Sequence, residues 1–123
     1  AGAHAQGTVV YTISPVHNID YYIDLAKQLV EMGIDSLCIK DMAGLLAPYD
    51  AYELVSCLKK EINVPIQLHS HYTSGMASMT YLKAIEAGVD VRHCSVTFCP
   101  GNIPAPHRNN GCRVEKHSLR YWP

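Results

Sequence analysis

The sequence predicts an α/β fold built on a parallel sheet, and three observations carry that prediction. Short β-rich apolar runs alternate with amphipathic helical stretches from Gln6 to about Val91. The connections between them are a few residues long. Polar side chains with chemical capacity, Thr12, Lys40, Asp41, His69 and His71, fall at the ends of the apolar runs. Alternation of this kind means parallel strands joined by covering helices. It fits half of an eight-stranded (β/α)8 barrel or a small doubly wound sheet. The polar residues favour the barrel, whose chemistry sits at the C-terminal strand ends.

Each element has its own signal. Gln6 to Tyr11 is β-rich and apolar, which predicts the first strand. Ser14-Pro15 opens a turn, and Asn18 or Asp20 is placed to cap a helix over Ile19 to Met32. Its apolar stripe is Ile23, Leu25, Ala26, Leu29 and Val30, and Gly33 ends it. Ser36 to Lys40 is the second strand. Pro48 starts a helix with Ala51, Leu54, Val55 and Leu58 on one face. Pro65 to His71 is the third strand, Gly75 to Ala87 the third helix, closed by Gly88. Val89 begins a fourth strand.

At 123 residues the chain holds one modest domain. A net charge of -1 argues against a nucleic-acid partner or direct membrane attachment. No apolar run approaches the ~20 residues of a membrane span. The five cysteines are odd in number and lack paired spacing, so neither a disulfide framework nor a zinc ribbon is expected. A reducing, cytoplasmic setting follows. The start at Ala1-Gly2-Ala3, without an initiator Met, reads as the interior of a longer polypeptide.

The candidate site rests on spacing. Residues i and i+2 of a strand point to one face, so His69 and His71 present two imidazoles together. A lone strand-end histidine is most often structural, whereas two on one face form a plausible metal grip. Lys40 stands at the matching end of the neighbouring strand. An ammonium has no lone pair to donate. Lysine joins such a site only as a carbamate, which offers a carboxylate-like oxygen. Met42 follows the second strand directly, and a Met there usually packs. Asp41 is a candidate for orienting the site, with a surface or capping role standing equally beside it.

Several segments carry a resemblance. They are Gln6-Gly7-Thr8 through Tyr11-Thr12, Ser14-Pro15-Val16-His17, and Cys38-Ile39-Lys40-Asp41-Met42-Ala43-Gly44-Leu45-Leu46. His69-Ser70-His71, Thr73-Ser74-Gly75 and Lys83 through Asp90 continue it. Over residues 1–91 the chain resembles the carboxyltransferase domain of biotin-dependent enzymes of the oxaloacetate decarboxylase and pyruvate carboxylase type. The resemblance implies the C-terminal half of a TIM barrel, about strands five to eight. It implies transfer of carboxyl between oxaloacetate or pyruvate and biotin on a separate carrier domain. It also implies a divalent metal (zinc, manganese or cobalt) held by carbamylated Lys40, His69 and His71, with Met42 near the ketoacid or biotin. The family's Asp ligand belongs to the first barrel strand, and its pyruvate-gripping Arg and Gln also lie upstream of the matched segment. A homo-oligomer is implied, with membranes reached only through partner subunits.

The tail, residues 92–123, leaves the pattern. The family continues with Asp-Thr-Ala and a Gly-Thr-Ser-Gln run, whereas here stand Arg92-His93-Cys94 and a stretch rich in Pro, Asn, Arg and Cys. A polar terminal arm is one reading. A reading-frame shift is the other, because the tail read one base later can encode a string containing Phe-Ala-Leu-Gly-Thr-Ser-Gln. The family's proton-shuttling Thr would then be replaced by Asn102, and His93, His107 and His117 would be accidental. Two alternatives to the transferase stand beside it. One is a metal-dependent acyl-CoA lyase or Claisen-type synthase, which shares the barrel but does not use the Lys-Asp-Met position. The other is an inactive truncated product. Alone, the chain is expected to fold marginally and self-associate, since part of a barrel leaves open sheet edges.

Overall fold

The computed structural model describes residues 2–94. Four parallel strands alternate with three helices. They are β1 (Gln6–Val10), α1 (Ile19–Glu31), β2 (Ser36–Asp41), α2 (Pro48–Glu61), β3 (Ile66–Ser70), α3 (Ala77–Glu86) and β4 (Val91–Cys94). The strand order is β1-β2-β3-β4, each strand lying beside its predecessor. A doubly wound sheet would reverse direction at a switch point. The four described strands show no such reversal, which accords with a barrel-type progression.

One core lies on one face of the sheet. Val9, Leu37, Ile39, Ile66 and Leu68 meet Tyr22 and Ala26 of α1, Ala51, Leu54, Val55 and Leu58 of α2, and Ala77, Tyr81 and Ala84 of α3. In β1 burial alternates with Gly7 and Val9 inside and Gln6, Thr8 and Val10 outside. That is the period of a strand whose one face is covered. Each fully buried Leu or Ile here removes enough apolar surface to contribute about 1.5–3 kcal/mol.

Local chemistry sets the helix starts. Asn18, the first of the two expected caps, accepts the Tyr21 N–H at 2.9 Å, while Asp20 sits in the first turn. Pro48 occupies the first position of α2, where its missing N–H leaves no orphan. Tyr22, absent from the expected stripe, is the most enclosed large side chain of α1. Its hydroxyl accepts from Thr12 N–H (2.9 Å) and donates to Thr12 C=O (3.0 Å). The fourth strand starts at Val91, two residues later than expected. Val89 N–H is taken by Ala84 C=O at the end of α3. Asp90 then closes on β3, bonding Ile66 through both main chain and carboxylate. Among the described residues no helix is long and apolar enough to cross a membrane.

Candidate metal centre

The face of the sheet turned away from the helices carries the candidate ligands. The parallel ladder pairs Val10 with Lys40 and Lys40 with His69, so these three form one row across β1, β2 and β3. His71 follows β3 by one residue and keeps the ladder going through its N–H to Asp41 C=O (3.2 Å). Two residues apart, the rings of His69 and His71 meet edge to face with centroids 4.9 Å apart. Lys40, His69 and His71 are all half-buried. The structure therefore brings the three predicted residues to one end of one face.

Beneath this row the same face is polar. Gln6 spans from β1 to β3 by donating to Gln67 Oε1 at 2.9 Å, and also donates to Ser36 Oγ. His4 joins Ser36 at 2.8 Å. Cys38 lies between these groups, buried and free. Burial pushes its thiol above the usual range, partly opposed by the Lys40 charge.

The loops around the row are tied to one another. Asp41 is buried on the helix-facing side, its carboxylate accepting Leu45 N–H (2.9 Å), Leu46 N–H (3.2 Å) and the Ser70 hydroxyl (3.3 Å). It is a cap for the loop after β2, so the surface role weighed for it falls away. Thr73 donates to Ala43 C=O at 2.5 Å. Gly44 has φ +67, and a Cβ there would lie 2.5 Å from Thr73 Oγ1 and 3.0 Å from Ser74 N. Both conditions demand glycine. Directly after His71, Tyr72 adopts φ 61, a left-handed conformation uncommon for a non-glycine residue. Thr80 of α3 closes the arrangement, donating to Leu46 C=O at 2.8 Å. Met42 is 44% exposed in the loop after β2, outside the core.

Among the described residues no three His, Cys, Asp or Glu side chains gather as a metal cluster. Two imidazoles and a lysine are what this segment brings together. Asn102, His107 and His117 lie outside the described residues, as does the tail from residue 95. His93 falls in β4 in register with His69, and its side chain also lies outside them.

Residues 9–99 match the HMGL-like family. The chain is 61% identical over 106 residues to a pyruvate carboxylase subunit of Methanocaldococcus jannaschii, covering 85% of this chain and 19% of that protein. It is 48% identical over 109 residues to the methylmalonyl-CoA carboxyltransferase 5S subunit of Propionibacterium freudenreichii, covering 85% and 22%. Among solved structures, the carboxyl transferase domain of Rhizobium etli pyruvate carboxylase with pyruvate and biocytin superposes with a TM-score of 0.71 at 38% identity. That overlap covers 74% of this chain and 16% of the other. The chain thus spans about a fifth of the curated relatives it matches.

Proposed function

We propose, from the premise that this chain belongs to the HMGL-like family, that it supplies the metal-binding strands of a biotin-dependent carboxyltransferase. The transferred carboxyl moves between oxaloacetate or pyruvate and biotin on a separate carrier domain. The observation that supports this reading is the in-register pairing of Lys40 with His69, with His71 ring to ring beside it.

The donor set suits a divalent ion of the zinc, manganese or cobalt type. Neutral imidazole nitrogens and a carboxylate-like oxygen are its ordinary ligands. Lys40, as its carbamate, His69 and His71 would hold it, with further donors coming from strands beyond this segment. When bound, the ion supplies Lewis acidity toward the ketoacid carbonyl. The chain's own residues then do three things. The ladder fixes the spacing of Lys40 and His69. The β2 and β3 loops, pinned by Thr73, wall the mouth of the site. Met42, exposed beside it, offers apolar contact to the ketoacid or the biotin ring. Homo-oligomerisation, a cytoplasmic setting, and membrane contact only through partner subunits are carried over with the family resemblance.

The test is made in the full-length protein that carries these strands. Lys40→Ala is expected to abolish oxaloacetate decarboxylation and lower bound metal. Short carboxylic acids are expected to restore part of the activity by standing in for the carbamate. Wild-type metal content and turnover in Lys40→Ala would refute the assignment.

We further propose that residues 92–123 arise from a frame shift. The support is that the next reading frame permits the family's continuation. The family match reaching residue 99 stands against a break immediately after Val91. Sequencing the gene across Val91 decides: an alternate frame without that continuation ends the proposal.

A further inference from the structure

We infer that Asp41 is a positioning residue for the Lys40, His69 and His71 centre, acting through its clasp with Ser70 on the opposite face of the sheet. The inference rests on the reading of that centre given above. Asp41 follows Lys40, and Ser70 lies between His69 and His71. Successive strand residues face opposite ways. The three ligands therefore project to one side while Asp41 and Ser70 project to the other, each 1% exposed. The ladder sets Asp41 directly beside Ser70.

A carboxylate enclosed among apolar residues must be fully bonded. Asp41 is, by two loop N–H groups and one hydroxyl. Capping the loop needs only Leu45 N–H and Leu46 N–H. The third bond, from Ser70 Oγ, crosses to the neighbouring strand at the residue flanked by both histidines. The Asp41 main chain makes a second crossing, accepting His71 N–H. Ser70 is held in turn by Tyr81, whose hydroxyl accepts the Ser70 N–H at 2.8 Å. Leu46, capped by Asp41 through its N–H, bonds Thr80 through its C=O. One carboxylate thus joins the end of β2, the end of β3 and, through their neighbours, α3. A shift of Ser70 relative to Asp41 would carry His69 and His71 away from Lys40 together.

The experiment uses the full-length protein with Co2+ as the probe, read by visible absorption and by competition affinity well below the unfolding temperature. Ser70→Ala is expected to weaken Co2+ binding about 10–100-fold and to alter the absorption band. Ser70→Thr, which returns the hydroxyl, is expected to recover both. Asp41→Asn should be more severe, and Ser70→Ala carries the test if that variant does not fold. Leu58→Ala, a core truncation in α2 away from the clasp, should lower the melting temperature and leave the Co2+ band unchanged. A Ser70→Ala protein with wild-type affinity and spectrum would reduce Asp41 to a loop cap and overturn the inference. A wild-type protein that takes up no Co2+ would instead overturn the centre itself, and the clasp's role with it.

Discussion

The two faces of this sheet are one residue apart and do opposite work. On the helix side Val9, Leu37, Ile39, Ile66 and Leu68 are sealed from water. On the other side Gln6, Lys40, Gln67 and His69 are polar and partly open. The difference teaches that stability and chemistry are segregated by strand parity. A substitution on one face reports on folding, and its sequence neighbour reports on the site. Asp41 and Ser70 are the exception, polar residues on the apolar face.

That contrast can be broken by measurement in the full-length protein. The largest expected effect is at Leu68, fully enclosed in the middle of β3. Leu68→Ala should cost about 2–5 kcal/mol by denaturant unfolding, through lost burial and a cavity, while the folded fraction keeps whatever Co2+ affinity the wild type has. A cost below ~1 kcal/mol would mean the helix face is not the core. Next is Tyr22→Phe, which deletes the hydroxyl that bridges Thr12 N–H and C=O. A loss of about 1 kcal/mol is expected in the same assay.

A third effect appears in alkali. Burial first, and then the Asp50 carboxylate, raise the half-buried Tyr11 phenol from 10.0 to about 12. Below pH 10 both folded and unfolded chains keep this proton, so its stabilisation is fully present. As pH rises through about 12, the unfolded chain has already released it and the stabilisation is lost. Comparing stability against pH for wild type and Tyr11→Phe isolates this component, and parallel curves would exclude it. The smallest effect on stability is expected for Lys40→Ala. Measured without added metal, its change should stay within about 0.5 kcal/mol, while on the proposed assignment bound metal falls. A large destabilisation there would break the division between faces.

Much of this was legible in the sequence where a period was strong. Ala51, Leu54, Val55 and Leu58 follow helical spacing, and all four are buried. The shared face of His69 and His71 was readable from strand parity, and the ladder sets Lys40 beside His69. A cap at Asn18 or Asp20 was readable because an Asx side chain before an apolar stripe has few other uses, and the bond to Tyr21 N–H selects Asn18. What escaped lay in tertiary pairing. Tyr22, beside Tyr21, has no apolar signature, and its bonding partner Thr12 is ten residues upstream. Asp41 beside a lysine reads as solvated, yet its donors come from its own loop and a neighbouring strand. The strained Tyr72 and the tight approach of Gly44 to Thr73 depend on loops meeting in space, which no local pattern encodes.

The strand order has a consequence for how the molecule is made. Every strand after the first pairs with the one synthesised just before it, and β1, β2 and β3 are each followed by a covering helix. Each pairing therefore closes one helical crossover, as Gln6 with Ser36, and no more. As the polypeptide leaves the ribosome, each βα unit meets a template already laid down. Within the described strands assembly runs from β1 toward β4, each strand pairing with its predecessor. Ribosome-arrested chains should accordingly gain protease resistance in steps, one of them when Asp41 has cleared the exit tunnel and β1 and β2 have paired.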